Sequence, residues 1–295
     1  MTSTIAGFDL PSLAPDHKLH RILSSALGQK PAEKREHIAS PWNAEFFGLT
    51  KSTFFAEATL LEQTQITQIA SQGLLAESYF IEKAGVGYMS KMTLLADTTE
   101  ERMLYALFSA DETAHLAALS KFISIEATAD PFLKLLESLL EAASRPVLIF
   151  VIQVVLEGWG LNHYRLLSKS CQHAGLANLF HSFLQAESRH HGAGVTLFDE
   201  TTLSNTDRTT IVEALADFLQ MVQVGPQRVV EAVSRVKGGL SQDQRVRLLS
   251  ELETETHSGS RLDVLRSLIT PNAPKIADAL DAKGLFLPLP PAQCA

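Results

Sequence analysis

Two Glu-x-x-His pairs stand out in the chain, Glu112-Thr113-Ala114-His115 and Glu187-Ser188-Arg189-His190. On a helix, positions i and i+3 share a face, so each pair presents a carboxylate beside an imidazole, a donor set suited to a divalent metal ion. Each pair has a further glutamate upstream: Glu77 lies 35 residues before Glu112, and Glu157 lies 30 residues before Glu187. If each interval is one helical hairpin, antiparallel packing brings its residues to one height. Glu77, Glu112, His115, Glu157, Glu187 and His190 are therefore the predicted metal ligands. Glu157 strengthens that expectation. It follows the apolar run from Val147 to Val155, where an ionised carboxylate is costly unless paired or bound to a cation. Arg165 and Arg189 are the nearest candidate partners in the main helices, and two divalent ions balance four carboxylates better than two arginines do.

The order Glu77, Glu112/His115, Glu157, Glu187/His190 resembles the ferritin-like di-iron carboxylate proteins, whose bundle sites use a set of four glutamates and two histidines. The resemblance covers roughly residues 51–199. It implies an all-α fold, a ferritin-like four-helix bundle with additional N- and C-terminal helices. It also implies two iron ions at those six residues (a manganese–iron pair suits the same ligands) and dioxygen as co-substrate. Within that family, several branches fit poorly. Ferritins are essentially the bare bundle, whereas this chain continues well beyond it on both sides. Rubrerythrins carry a Cys-x-x-Cys module, and here the cysteines are Cys171 and Cys294 alone. Leu119 stands where the ribonucleotide reductase small subunit keeps its radical tyrosine. Phe183 stands where arylamine N-oxygenases carry an added histidine.

The resemblance thus implies a dioxygen-activating oxidase or oxygenase, with the six ligands as its catalytic residues. Its substrate would be a hydrophobic, acyl-type small molecule, undergoing hydroxylation, desaturation, halogenation or carbon–carbon cleavage. A ferroxidase or metal-binding bundle without organic substrate, and an arylamine N-oxygenase-like enzyme, are the alternatives. Electrons would come from an external donor such as a ferredoxin, because no flavin, haem or iron–sulfur motif is visible in the sequence.

Residues one turn from the ligands describe the expected pocket. Phe80, Phe108 and Phe183 lie on the faces that carry Glu77, Glu112 and Glu187 and would make an apolar surround; each taken singly also reads as bundle core. Asp111, beside Glu112, is expected either to orient a ligand histidine through its second ring nitrogen or to be a solvated surface residue. Tyr105 and Tyr164 lie two turns from Glu112 and Glu157. His191 points away from its neighbour His190, while His163, His173 and His181 are expected to be solvated near helix ends.

These groups need long helices to position them. Periodicity predicts one helix over roughly 51–95, loosened near Gly85 and Gly87, and a second over roughly 98–123 behind the capping sequence Asp97-Thr98-Thr99-Glu100-Glu101. A third helical region starts at Asp130-Pro131, with Pro146 breaking or kinking it to leave a main segment of roughly 146–170. A fourth helix runs to about 199. Four shorter amphipathic helices are expected after residue 200, and no stretch alternates as a strand would. The expected organisation is an extension over 1–50, the dimetal bundle over 51–200 and a helical extension over 201–295.

Composition narrows the classes further. The 295 residues carry a formal charge of −8 with 45% hydrophobic residues, which excludes a disordered polar chain and argues against a nucleic-acid binder. No secretory signal is apparent, and the apolar run ending at Val155 is shorter than the ~20 residues that span a bilayer. A cytoplasmic protein without a membrane span, assembling as a homodimer, is the expectation.

Overall fold

The computed structural model describes residues 5–14, 16–28, 38, 40–123 and 130–295. Helices and turns account for all its regular structure; there is no strand among the described residues. In chain order the helices are α1 (Leu19–Ala26), α2 (Thr53–Ala56), α3 (Leu60–Leu95), α4 (Thr99–Leu119), α5 (Pro131–Ala142), α6 (Arg145–Leu148), a π-helix (Ile149–Leu156), α7 (Glu157–Ser170), α8 (Ala174–Leu197), α9 (Asn205–Gln223), α10 (Gln227–Lys237), α11 (Gln242–Glu251), α12 (Thr254–Ile269), α13 (Pro274–Asp281) and α14 (Pro291–Cys294).

The chain forms two compact units. One comprises Met1–Ile38 and Leu75–Ala142, the other Ala39–Leu74 and Ala143–Ala295. Each draws on two separate stretches of chain.

In the first unit, the later part of α3 runs antiparallel to α4: Glu82 meets His115, and Ser90 Oγ lies 3.4 Å from Ser109 Oγ further along. The helix α4 begins as its capping sequence predicts. The Thr98 hydroxyl accepts from Glu101 N–H, and the Glu101 carboxylate accepts from Asp97 N–H, so exposed donors of the first turn are satisfied. Gly85 and Gly87 do not loosen α3, which continues unbroken to Leu95. Asp130 caps α5, accepting from the Phe132 and Leu133 amides. Leu133, Leu136 and Leu140 recur at three- and four-residue steps and form its buried stripe. Lys91 reaches from α3 to the Leu140 carbonyl at the end of α5, 2.6 Å away, where the helix dipole favours a cation.

The second unit opens with a correction. The expected helix start at residue 51 is a separate short element, and α3 begins only at Leu60. The cause is a local cap: Thr59 N–H and its hydroxyl both donate to the Glu62 carboxylate, and Glu62 N–H donates back to the Thr59 hydroxyl. Pro146 breaks the helical region as expected: α5 ends at Ala142 and α6 starts at Arg145 with the proline in its first turn, where a residue has no intrahelical partner for the N–H that proline lacks.

From Arg145 to Ser170 the chain is one continuous helix, long and apolar enough to cross a membrane by length and composition alone. Its apolar part is nevertheless enclosed by protein, with every residue from Val147 to Leu156 buried. A helix that is apolar all round belongs in a core. Its middle is the π-helix, wound wider than an α-helix and ending directly before Glu157. The neighbour is α8, antiparallel to it. Gln153, fully buried, donates from Nε2 to the His190 carbonyl at 2.8 Å. Gly194 permits that approach, since a Cβ there would lie 2.8 Å from Gln153 Cγ. Further along, Tyr164 stacks on Phe180 (5.6 Å) and meets Phe183 edge-on (5.5 Å), and Trp42 Nε1–H donates to the Leu167 carbonyl at 3.0 Å. His173, expected to be solvated, caps α8 by accepting from Leu176 N–H.

Beyond residue 200, five helices and the one-turn α14 replace the four expected. Capping boxes at Ser204/Asp207 and Ser241/Gln244 start α9 and α11. The apolar tail after Gly284 is pinned by Gln223, whose Nε2 donates to the Gly284 and Leu287 carbonyls.

Candidate metal centre

The hairpin of α3 and α4 collects three buried metal-ligating side chains. Glu82, Glu112 and His115 are 1%, 4% and 8% exposed. His115 Nδ1 lies 3.0 Å from Glu82 Oε2 and 4.0 Å from Glu112 Oε2, and one donor atom from each of the three falls within 4.8 Å of the others. Donors bound to a small divalent ion at about 2.1 Å are separated by roughly 3.0 Å when adjacent and 4.2 Å when opposite. The His115–carboxylate spacings fall in that window.

The hairpin of α7 and α8 collects a second set. Glu187 and His190 are buried, with Glu187 Oε2 at 3.6 Å from His190 Nδ1. Glu157 at the start of α7 offers a carboxylate oxygen within 4.8 Å of a His190 ring nitrogen. Each set thus has two carboxylates and one imidazole, and the charge of one divalent ion balances two ionised carboxylates. Five residues, Glu82, Glu112, His115, Glu187 and His190, are a buried carboxylate–imidazole complement able to hold metal.

Glu82 was missed in the sequence. The structure brings Glu82, and not Glu77, to ligand distance of Glu112 and His115. Glu77 is half-buried on the same helix, and five residues at 3.6 per turn set it about 140° round the axis from Glu82. Two features concealed Glu82: it is followed by Lys83, and Ser-Tyr-Phe-Ile-Glu-Lys reads as a helix turning a charged pair to solvent. One feature could have found it. Glu82 precedes Glu112 by 30 residues, the same interval that separates Glu157 from Glu187, so both hairpins carry one pattern.

Other expectations fare variously. His115 Nδ1 takes Glu82, not Asp111, as the partner at hydrogen-bond distance; Asp111 is half-buried. Phe80 meets Phe8 (5.7 Å) and Tyr79 (5.5 Å) edge-on, about 160° round α3 from Glu82. Phe108 is buried one turn before Glu112 and meets Tyr105 edge-on. Phe183, one turn before Glu187, is part of the Tyr164–Phe180 cluster. His191 directs Nδ1 to the Gln153 carbonyl at 3.3 Å.

His163 is not solvated as expected. Its ring stacks on Trp159 at 5.7 Å and its Nε2 is sealed from solvent without a hydrogen-bond partner, although part of the residue reaches the surface. Burial pushes its pKa down to about 4, with Arg261 and Arg228 adding to the effect, so it is a neutral imidazole at pH 7.

The chain matches no protein-family model, no curated protein and no solved structure. The functional reading therefore rests on the site's own residues.

Proposed function

We propose that Glu82, Glu112 and His115 hold one divalent metal ion and Glu157, Glu187 and His190 a second, and that the protein is a dioxygen-activating oxidase or oxygenase. The observation that carries this reading is the recurrence of one donor set, two carboxylates and an imidazole, on two hairpins with the same 30-residue interval. Carboxylate oxygens and imidazole nitrogens favour iron or manganese over softer ions. When bound, such a pair supplies a reducing centre for dioxygen and a route to oxidation of an organic substrate.

The chain's own contributions can be assigned to residues. Before metal binds, Glu82 Oε2 lies 3.0 Å from His115 Nδ1 and keeps that ring nitrogen turned toward the carboxylates with which it would share the ion. Gln153 ties the His190 backbone to the π-helix, so the second imidazole is set by a rigid, buried element. The buried run Val147–Val155, apolar except for Gln153, leads directly into Glu157 and gives it water-poor surroundings on that side. That environment suits a hydrophobic, acyl-type substrate, with electrons drawn from a separate ferredoxin-class donor.

Elemental analysis after anaerobic ferrous loading tests the centre. About two iron or manganese ions per chain are expected, lost in Glu112→Ala/Glu187→Ala. Dioxygen consumption stimulated by fatty acyl compounds then tests the reaction class. Protein that takes up no ferrous ion would sink the metal reading, and uptake without substrate-stimulated consumption would leave a metal-binding bundle.

A further inference from the structure

Glycine is an unfavourable residue for the interior of a long helix, yet Gly85 sits in α3 one turn from Glu82. Its conformation gives no reason for it, since α3 is regular there. Its neighbour does. A Cβ at position 85 would lie 2.5 Å from Glu112 Oε2, 2.8 Å from Cδ and 3.3 Å from Cγ. The Glu112 side chain therefore lies flat against the α3 backbone, in space that any other residue would fill.

We infer that Gly85 is a positioning residue for the metal centre: its missing side chain is the cradle that lets the Glu112 carboxylate reach Glu82 and His115. This rests on the proposed metal centre and deepens it. Glu112 is almost wholly enclosed, so a carboxylate displaced by a methyl group at 85 has little room to return to the same place by another path. The obstructed atoms are the far end of a flexible side chain, which can rotate. The fold survives the substitution, and the ligand position does not.

The test is equilibrium dialysis of the full chain against ferrous ion under anaerobic conditions, beside thermal unfolding of the metal-free protein. Wild type should bind two ions per chain. Gly85→Ala should lose at least tenfold in affinity for one of them, while its metal-free melting temperature stays level or rises, because alanine is the better helix former. Gly192→Ala is the control: a Cβ there meets nothing within 4 Å, so it should gain the same helix preference and keep both ions. Two ions bound by Gly85→Ala with unchanged affinity would overturn the inference while leaving the metal centre intact. Wild type binding no ferrous ion would overturn both. In a Glu112→Ala background the Gly85→Ala change should raise the metal-free melting temperature; a fall there would mean that something other than Glu112 is obstructed, and would also overturn the inference.

Discussion

Replacing Glu82 by glutamine keeps the shape and the hydrogen-bonding oxygen but removes the charge. In the metal-free protein the change should be mild: a glutamine oxygen can still accept from His115 Nδ1–H at the observed 3.0 Å, so the loss is within about 1 kcal/mol for a neutral replacement of one hydrogen bond. With metal the change should be large. Groups that merely hold a ligand in place typically contribute 10–100-fold in metal affinity, and Glu82 is at ligand distance itself, so a loss of at least roughly 100-fold is expected on that scale. At a free metal concentration 100 times the wild-type Kd, binding stabilises the wild type by ~2.7 kcal/mol and the variant by only ~0.4 kcal/mol. The difference corresponds to roughly 5–9 °C in Tm for a chain of this size class. The assay is thermal unfolding with and without ferrous ion under anaerobic conditions, run in parallel on Glu77→Gln. The reasoning is refuted if Glu82→Gln keeps the full metal-dependent rise in Tm while Glu77→Gln loses it.

Two further outcomes follow from buried polar groups. Gln153→Ala removes the tie from the π-helix to the His190 carbonyl and leaves a cavity at a fully buried position; a loss of about 2 kcal/mol or more is expected, and circular dichroism melts unchanged from wild type would show that the tie is idle. His163 has a folded-state pKa of about 4 against an ordinary value of 6.5, so the unfolded chain binds the extra proton between those values. Its neutral form favours folding fully above pH 6.5, and that contribution falls away as pH drops toward 4, by up to about 3 kcal/mol. His163→Phe should flatten the pH dependence of urea midpoints across that window, and an unaltered slope would count against its enclosure.

Much of this was legible in the sequence because the relevant forces are local. The start of α4 is written in Thr98 and Glu101, whose side chains close the first turn themselves. Glu157, Glu187 and His190 are found from type and spacing alone, since a helix converts a three-residue step into a shared face. What escaped depends on facing partners. Nothing local marks Glu82 as the residue beside His115, because the choice between Glu77 and Glu82 is made by the rotation of α3 against α4. Nor does Ile149–Leu156 announce a π-helix: an unbroken apolar run has no polar face by which its winding could be read. His163 is enclosed through a facing partner as well: Trp159, one turn before it, stacks on its ring, and Phe218 of α9 packs edge-on against Trp159.

The interleaving of the two units fixes an order of events during synthesis. The first unit is complete in sequence once Ala142 has been made, including all three of Glu82, Glu112 and His115. The segment Ala39–Leu74 is in the opposite position: it is made early and has to wait for partners that come after residue 142. Trp42 is the clearest case, since the carbonyl it binds belongs to Leu167, 125 residues later. At ribosomal rates of about 5–20 residues per second, that is a delay of roughly 6–25 s, during which a large indole has no native burial site. The nascent chain therefore passes through a stage with the first unit complete in sequence and an upstream segment still without its native partners, the stage at which a chaperone would have most to hold.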